Sequence, residues 1–284
     1  MKRGPLQPGE PVIFLDRDQR DHFAFLTEGK KANIRGHQVP FDEVIGKPDG
    51  SSARSNKGGR FRVFRATLEQ YSLYMTRHAQ IIYPKDAATI LMYADIFPGA
   101  RVIEGGFGSG ALSMALLRAI GSEGSLTTYE LREEAANRSR KNVVGLMGEQ
   151  PNHTVNIGNI YEGIEERDVD RVVLDVPEPW EALEAASEAL ADGGVYCAYI
   201  PTALQLHKLV MAMREHRRWA RIRSMEMIFR PWFVNAKSCR PEQRIIGHTG
   251  FLLFARRVAR LPPREEKPAP EEPADGEASE PTDL

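Results

Sequence analysis

The chain has 284 residues, 42% hydrophobic and 27% charged, enough for one large or two modest domains with a sizeable buried core. No apolar run reaches the roughly 20 residues of a membrane helix, and no signal-peptide core follows Met1-Lys2-Arg3-Gly4-Pro5, so a cytoplasmic protein with no membrane partner is expected. Two cysteines, Cys197 and Cys239, and the histidines His78, His207 and His248 lack metal-ligand spacing, so neither a disulfide framework nor a metal site is expected.

Residues 1–65 contain short β-like runs (Val12 to Leu15, His22 to Leu26, Lys31 to Ile34) broken by Gly, Pro and Asp, which predicts a small β-rich N-terminal domain. Its end is basic: Arg54, Lys57, Arg60, Arg62 and Arg65 interleave with Phe61 and Phe64, without an acidic residue. Residues 66–260 follow a different pattern. Strand-length runs (Arg101 to Ile103, Ser125 to Tyr129, Thr154 to Ile157, Arg171 to Leu174, Val195 to Ile200) alternate with helix-length stretches (Ala111 to Ile120, Arg132 to Leu146, Glu178 to Leu190, and Thr202 to Glu215). This alternation predicts an α/β domain with a mostly parallel sheet between two layers of helices. Ser224 to Phe229 and Phe251 to Val258 read as a final antiparallel hairpin. Residues 261–284 form an acidic tail, rich in Pro and Ala and nearly devoid of large apolar residues, for which disorder is expected. Residues 262–284 carry −6, so the formal charge of −1 conceals about +5 on the rest.

The first chemical signal is Glu104-Gly105-Gly106-Phe107-Gly108-Ser109-Gly110, between a short strand and the helix opened by Ala111-Leu112. Gly106 and Gly108 allow a tight turn and close approach of a ligand to the main chain, and the helix N-terminus offers free N–H donors. Gly106 to Ala111 also satisfies the dinucleotide pattern GxGxxG/A. Glu104 is the discriminator: a carboxylate at the strand end would repel a pyrophosphate, whereas an acidic lip suits a methyl donor bearing an ammonium and a sulfonium. Glu130, ending the next strand, is placed to accept ribose hydroxyls of either ligand, and Asn159-Ile160 follows the third strand, where an amide can read an adenine amino group.

After the fourth strand comes Asp175-Val176-Pro177-Glu178-Pro179-Trp180. Two prolines stiffen this loop and hold the Asp175 carboxylate at the carboxyl edge of the sheet. With Gln80-Ile81-Ile82-Tyr83-Pro84-Lys85-Asp86, the glycine loop and Tyr129-Glu130, in that order, the chain resembles the bacterial and archaeal tRNA (adenine-58-N1)-methyltransferases over roughly residues 5 to 260. Val176 replaces a commoner Leu, and Asn159 stands where the family often has Asp.

The resemblance implies a Rossmann-like class I methyltransferase with a seven-stranded sheet, S-adenosyl-L-methionine as cofactor, tRNA as substrate and a homotetramer. It places Ser109, Gly110, Ala111, Leu112, Glu130 and Asn159 around the cofactor, where Gln80, Glu104, Gly106, Gly108, Ile160 and Asp175 are further candidates. Asp175 would also act at the reacting base, with Tyr83 and Tyr199 lining the adenine pocket. Two basic clusters, residues 54–65 and Arg214, His216, Arg217, Arg218, Arg221 and Arg223, are candidates for phosphate contacts. Competing readings are a protein carboxyl methyltransferase of the isoaspartyl type, against which DVPEPW and the basic N-terminal segment argue, and a non-catalytic tRNA-binding subunit, against which Glu104, Glu130 and Asp175 together argue.

Overall fold

The computed structural model describes residues 3–259; the acidic tail and its expected disorder lie outside them. The N-terminal part has six strands, β1 (Pro11–Leu15), β2 (Asp21–Phe25), β3 (Lys31–Ile34), β4 (His37–Pro40), β5 (Ser52–Arg54) and β6 (Arg60–Arg65). Four of them form an antiparallel sheet in the order β2-β1-β6-β5, while β3 and β4 make a separate hairpin. That hairpin turns on Arg35 and Gly36, both at positive φ (51° and 81°), the two-residue geometry that matches the twist of paired strands. Along β6 the side chains alternate: Phe61 and Val63 enter a core with Val12, Phe14, Val39 and Phe41, and Arg60 and Arg62 face outward.

Two helices lead into the second part: α1 (Leu68–Tyr74) and α2 (Pro84–Tyr93). Thr67 and Gln70 form a reciprocal capping box at the start of α1, and Pro84 opens α2 at a position whose N–H needs no partner. Tyr71, 1% exposed, joins the two parts: its ring packs edge-on against Phe23 and Phe25 of β2, and its hydroxyl donates to the carbonyl of Asn142 at 2.9 Å.

The chain then runs β7 (Arg101–Gly105), α3 (Ala111–Ile120), β8 (Ser125–Glu130), α4 (Glu133–Met147), β9 (His153–Ile157), β10 (Val169–Leu174), α5 (Leu183–Ala189), β11 (Leu190–Ile200), α6 (Ala203–His216), β12 (Trp219–Glu226), β13 (Trp232–Asn235), β14 (Ser238–Pro241) and β15 (Phe251–Arg257). Seven of these strands form one sheet in the order β12-β15-β11-β10-β7-β8-β9, in which β15 is antiparallel to both neighbours and the others share one direction. Neighbouring strand residues point to opposite faces. Val102 and Val173 enter a core with Ile90, Met114 and Leu117, whereas Ile103 and Val172 enter one with Leu183, Ala186, Leu209 and Met213. Cys197 is buried in the first of these cores and Cys239 is exposed.

The sheet is the predicted mostly parallel one, with three local differences. The helix expected over Glu178 to Leu190 occupies only Leu183–Ala189, because Pro177 and Pro179 withhold donors and residues 178–182 form turns, with Glu181 N–H donating to Glu178 and Leu183 N–H to Trp180. Strand β11 starts at Leu190 rather than Val195; Gly193, at φ +77°, lies where its register against β10 shifts. The final pair is antiparallel as expected, but β12 begins earlier, at Trp219, stops at Glu226, and is separated from β15 by the additional hairpin β13–β14.

Candidate active site

Chain order reverses across the sheet at β7: the chain moves to β8 on one side and later returns to β10 on the other. A cleft outside the carboxyl ends of such strands is the general ligand site of open α/β sheets. The glycine loop fills its floor and is fixed on both sides: Gly106 N–H donates to the Tyr129 carbonyl at 2.9 Å, and Asp175 N–H donates to the Gly105 carbonyl at 2.8 Å. Gly106, Gly108 and Gly110 have φ of 88°, 52° and 83°, which disfavours any side chain. Crowding differs among them. A Cβ on Gly110 would press on Val143 and the Ser139 carbonyl of α4, whereas one on Gly108 would meet nothing within 4 Å. The loop is packed below and open above.

Ser109 is 2% exposed and donates through Oγ to the Ala79 carbonyl at 3.1 Å. Asn142 Nδ2 donates to the carbonyls of Thr76 and Ser109, each at 3.0 Å. These bonds strap residues 76–79 to the glycine loop, with exposed Gln80 following directly. Ala111 and Leu112 are buried in the first turn of α3.

Glu104 is placed differently from its expectation as an acidic lip. It lies inside β7, 0% exposed, and its Oε2 accepts from Ser113 Oγ and Thr128 Oγ1, both at 2.7 Å. Its Oε1 is buried with no hydrogen-bond partner. Burial pushes its pKa up to about 8 against the two hydroxyl bonds, and Asp175 adds to the rise. Because Thr128 Oγ1 donates to Glu104, it can only accept from His153 Nε2, 2.9 Å away. Burial lowers the His153 pKa to about 4, so the imidazole is neutral and carries its proton on Nε2.

Glu130 ends β8 at 9% exposure; its Oε1 accepts the Arg132 N–H at 3.1 Å, and Oε2 has no protein donor among the described residues. Asn159 spends its amide locally: Oδ1 accepts from Tyr161 N–H at 3.1 Å, and Nδ2 donates to Glu162 at 3.3 Å. Ile160 is buried below the loop, 2.7 Å from where a Cβ on Gly105 would stand.

The Asp175 loop is pinned by groups that sequence reading did not single out. Tyr161 Oη accepts the Glu178 N–H at 3.0 Å, Tyr196 Oη donates to the Pro179 carbonyl at 3.0 Å, and Gln205 Nε2 donates to the Pro177 carbonyl at 3.0 Å. Lys208 Nζ stands over the Trp180 ring, 4.1 Å from its centre. The Asp175 residue keeps partial solvent contact, yet its carboxyl sits deep enough for desolvation to push its pKa up to about 7. Tyr199, 7% exposed, donates through Oη to the Thr249 carbonyl. Burial first, and then the carboxylates of Asp86 and Asp175, raise its pKa to about 12, so it stays a neutral phenol. Leu174 of β10 pairs with Ala198 of β11, so Asp175 and Tyr199 follow at adjoining strand ends, and half-buried Tyr83 is the N-cap of α2, whose Asp86 accepts from Thr249, the residue whose carbonyl holds Tyr199. Asp175, Tyr83 and Tyr199 are therefore brought together from three separate elements.

The basic segments divide. Arg54 lies opposite Arg60 on β5 and β6, and Arg62 follows two residues on, so all three share one outward face. Arg65 is on the other face, occupied by Glu10 at 2.9 Å and the carbonyls of Gly4 and Pro5; Phe61 is in the core. The cluster from Arg214 to Arg223 spans the C-terminal end of α6 and the start of β12. Because α6 leaves the carboxyl edge after Ile200 and runs back, that cluster lies towards the opposite edge of the sheet from Asp175.

Among the described residues no group of three metal-ligating side chains converges, and no helix is long and apolar enough to cross a membrane. Comparison with known proteins adds specific likenesses. A family model described as the tRNA methyltransferase complex GCD14 subunit matches residues 59–240, and one described as TrmI-like N-terminal matches residues 4–52. The chain is 36% identical over 251 residues to a tRNA (adenine(58)-N(1))-methyltransferase TrmI of Thermus thermophilus, covering 88% of this chain and 97% of that protein. It is 35% identical to the tRNA (adenine(57)-N(1)/adenine(58)-N(1))-methyltransferase TrmI of Methanocaldococcus jannaschii, covering 83% and 93%. Among solved structures it is similar to a SAM-dependent O-methyltransferase from Thermotoga maritima (TM-score 0.86, 33% identity, 90% and 96% covered). It is also similar to the tRNA (m1A58) methyltransferase TrmI from Aquifex aeolicus (TM-score 0.79, 29% identity, 90% and 100% covered).

Proposed function

The chain belongs to the family of tRNA (adenine(58)-N(1))-methyltransferases, and from that premise we propose how its own residues methylate N1 of adenosine 58 in the T-loop of tRNA. The observation that carries the reading is the placement of Asp175 against Gly106 of the glycine cradle and at the strand end beside Tyr199, which Thr249 links to the first turn of α2 after Tyr83.

The cradle fits S-adenosyl-L-methionine on its own features. Gly108 faces open space, and Glu130 retains a carboxylate oxygen without a protein donor among the described residues. Gly106, Gly108, Ser109, Gly110, Ala111 and Leu112 would hold it from below and Glu130 would take the ribose hydroxyls, while Glu104, enclosed by Ser113 and Thr128, braces the loop from behind. Asn159 and Ile160 would flank the adenine, with Gln80 and Asp175 closing the cleft. The bound donor supplies an electrophilic methyl group on a sulfonium.

Adenine N1 has a lone pair, so the protein needs to orient and stabilise rather than to generate a strong base. Tyr83 and Tyr199 hold the exposed base by their rings, as enzymes that modify a base outside its stack do. Asp175, as carboxylate, accepts a hydrogen bond from the N6 amino group, stabilises the positive charge that grows on the ring, and then takes a proton from N6. Arg54, Arg60 and Arg62 supply phosphate contacts from the N-terminal sheet.

The exposed side chains Ile228, Phe229, Trp232 and Val234 around the β13–β14 hairpin support self-association, and we assign the homotetramer of the family resemblance to this chain. With tRNA as its substrate, the cytoplasm is its compartment. The test is incubation with labelled methyl donor and an unmodified tRNA transcript, followed by nucleoside analysis. The reading predicts 1-methyladenosine from the wild-type transcript and none from one carrying guanosine at position 58; label appearing only in protein carboxyl groups overturns it.

A further inference from the structure

Lys85 is a cation in a place where a cation needs justification. Its side chain is 10% exposed, and its Nζ donates to Asp86 Oδ1 at 2.7 Å, to the Met227 carbonyl at 2.6 Å and to Thr249 Oγ1 at 2.6 Å. All three ammonium donors are thereby used. Asp86 is 0% exposed, and its Oδ2 accepts from Thr249 Oγ1 at 2.6 Å. The ion pair is closed into a ring, the condition under which a buried pair is tolerated.

The three segments it ties together have different roles. Lys85 and Asp86 lie in the first turn of α2, two and three residues beyond Tyr83. Met227 and Thr249 bracket the hairpin-bearing segment, one just after β12 and the other just before β15. Thr249 also grips Tyr199: its carbonyl accepts the phenol hydroxyl, and the adjoining Gly250 packs so closely that a Cβ there would lie 2.5 Å from the Tyr199 ring. A single dipeptide, Thr249-Gly250, therefore touches the Lys85–Asp86 pair with a side chain and Tyr199 with its backbone.

We infer that Lys85 and Asp86 are positioning residues of the methyl-acceptor pocket, setting the spacing between Tyr83 and Tyr199 through Thr249 and anchoring both ends of the hairpin segment to that pocket. Neither residue belongs to the donor cradle. The inference rests on the adenine pocket proposed above.

The test uses the full-length protein with two independent changes. Thr249→Val removes the shared hydroxyl while keeping side-chain shape and the backbone carbonyl; Lys85→Met/Asp86→Leu removes both charges together, so that no lone charge is left buried. Thr249→Ser serves as the conservative rescue. The kcat and KM for tRNA, and the affinity for S-adenosylhomocysteine by calorimetry, are read alongside the wild-type yield of 1-methyladenosine. Misplacing a reacting group costs up to about a hundredfold, so Thr249→Val and the double variant are expected to lose about tenfold or more in kcat. Thr249→Ser should stay near wild type, and the affinity for S-adenosylhomocysteine should be unchanged in all three. Unaltered kcat in Thr249→Val and the double variant, or loss of S-adenosylhomocysteine affinity in parallel with kcat, overturns the inference. Absence of 1-methyladenosine from the wild-type reaction instead removes the function on which it rests.

Discussion

A Cβ placed on Gly106 would stand 2.2 Å from the carbonyl oxygen of Asp175, so the donor loop and the reaction loop touch backbone to backbone. Any side chain at Gly106 must push the two apart, and the φ of +88° adds its own strain. Gly106→Ala is expected to weaken S-adenosylhomocysteine binding by about tenfold or more, the equivalent of a strain on the order of 1–3 kcal/mol, and to lower kcat as well. Calorimetry and steady-state rates check this.

The Asp175 carboxyl titrates at about 7 because it is desolvated. In the proposed role the carboxylate accepts a hydrogen bond from N6, and that form is present above this pKa and lost below it. The activity of the free enzyme, kcat/KM, is expected to rise with pH through about 7. Asp175→Asn should abolish that limb and lower kcat by roughly 10²–10⁴, the usual contribution of a positioned acid–base group.

Glu104 has a folded-state pKa of about 8, above the ordinary carboxyl value of 4.5. The folded state therefore holds a proton that the unfolded chain has released, and stability conferred below pH 4.5 is lost progressively as pH rises to about 8. The loss amounts to at most roughly 5 kcal/mol at about 1.4 kcal/mol per decade. In the absence of donor, Glu104→Gln is expected to melt higher than wild type at pH 8.5 and to match it at pH 4.5, as thermal denaturation at the two pH values will read.

The two basic clusters should behave differently. Arg54→Ala, Arg60→Ala and Arg62→Ala share a face and are expected to raise the tRNA Kd and each reduce the slope of log K against log salt by about 1. Arg214→Ala and Arg217→Ala, on the far edge of the sheet, should leave both quantities unchanged. Filter binding at several salt concentrations distinguishes them.

Much of this architecture was legible because strand-length stretches alternate with helix-length ones and the helices have strong punctuation, Gly121 after α3 and Gly148 after α4 among them. The order of motifs also singled out Asp175 and Tyr83 as candidates. What could not be read was depth. Glu104 occupies the position of an acidic lip in sequence, yet Ser113 from α3 and Thr128 from β8 enclose it, and neither contact follows from local spacing. Arg65 looked like its basic neighbours, but alternation along β6 puts it on the opposite face from Arg60 and Arg62, against Glu10. Lys85 and Asp86 close the stretch from Gln80 to Asp86, and their partners, Met227 and Thr249, are more than a hundred residues away.

Asp175 is proposed to act on an adenine held beside the donor cradle. The most direct test of that role is a single-turnover reaction of wild type and Asp175→Ala with unmodified tRNA, with 1-methyladenosine at position 58 quantified and S-adenosylhomocysteine affinity measured on both proteins. Wild type is expected to form 1-methyladenosine, and the variant to form it more slowly by roughly 10² or more at saturating donor. An undiminished rate in Asp175→Ala would contradict it.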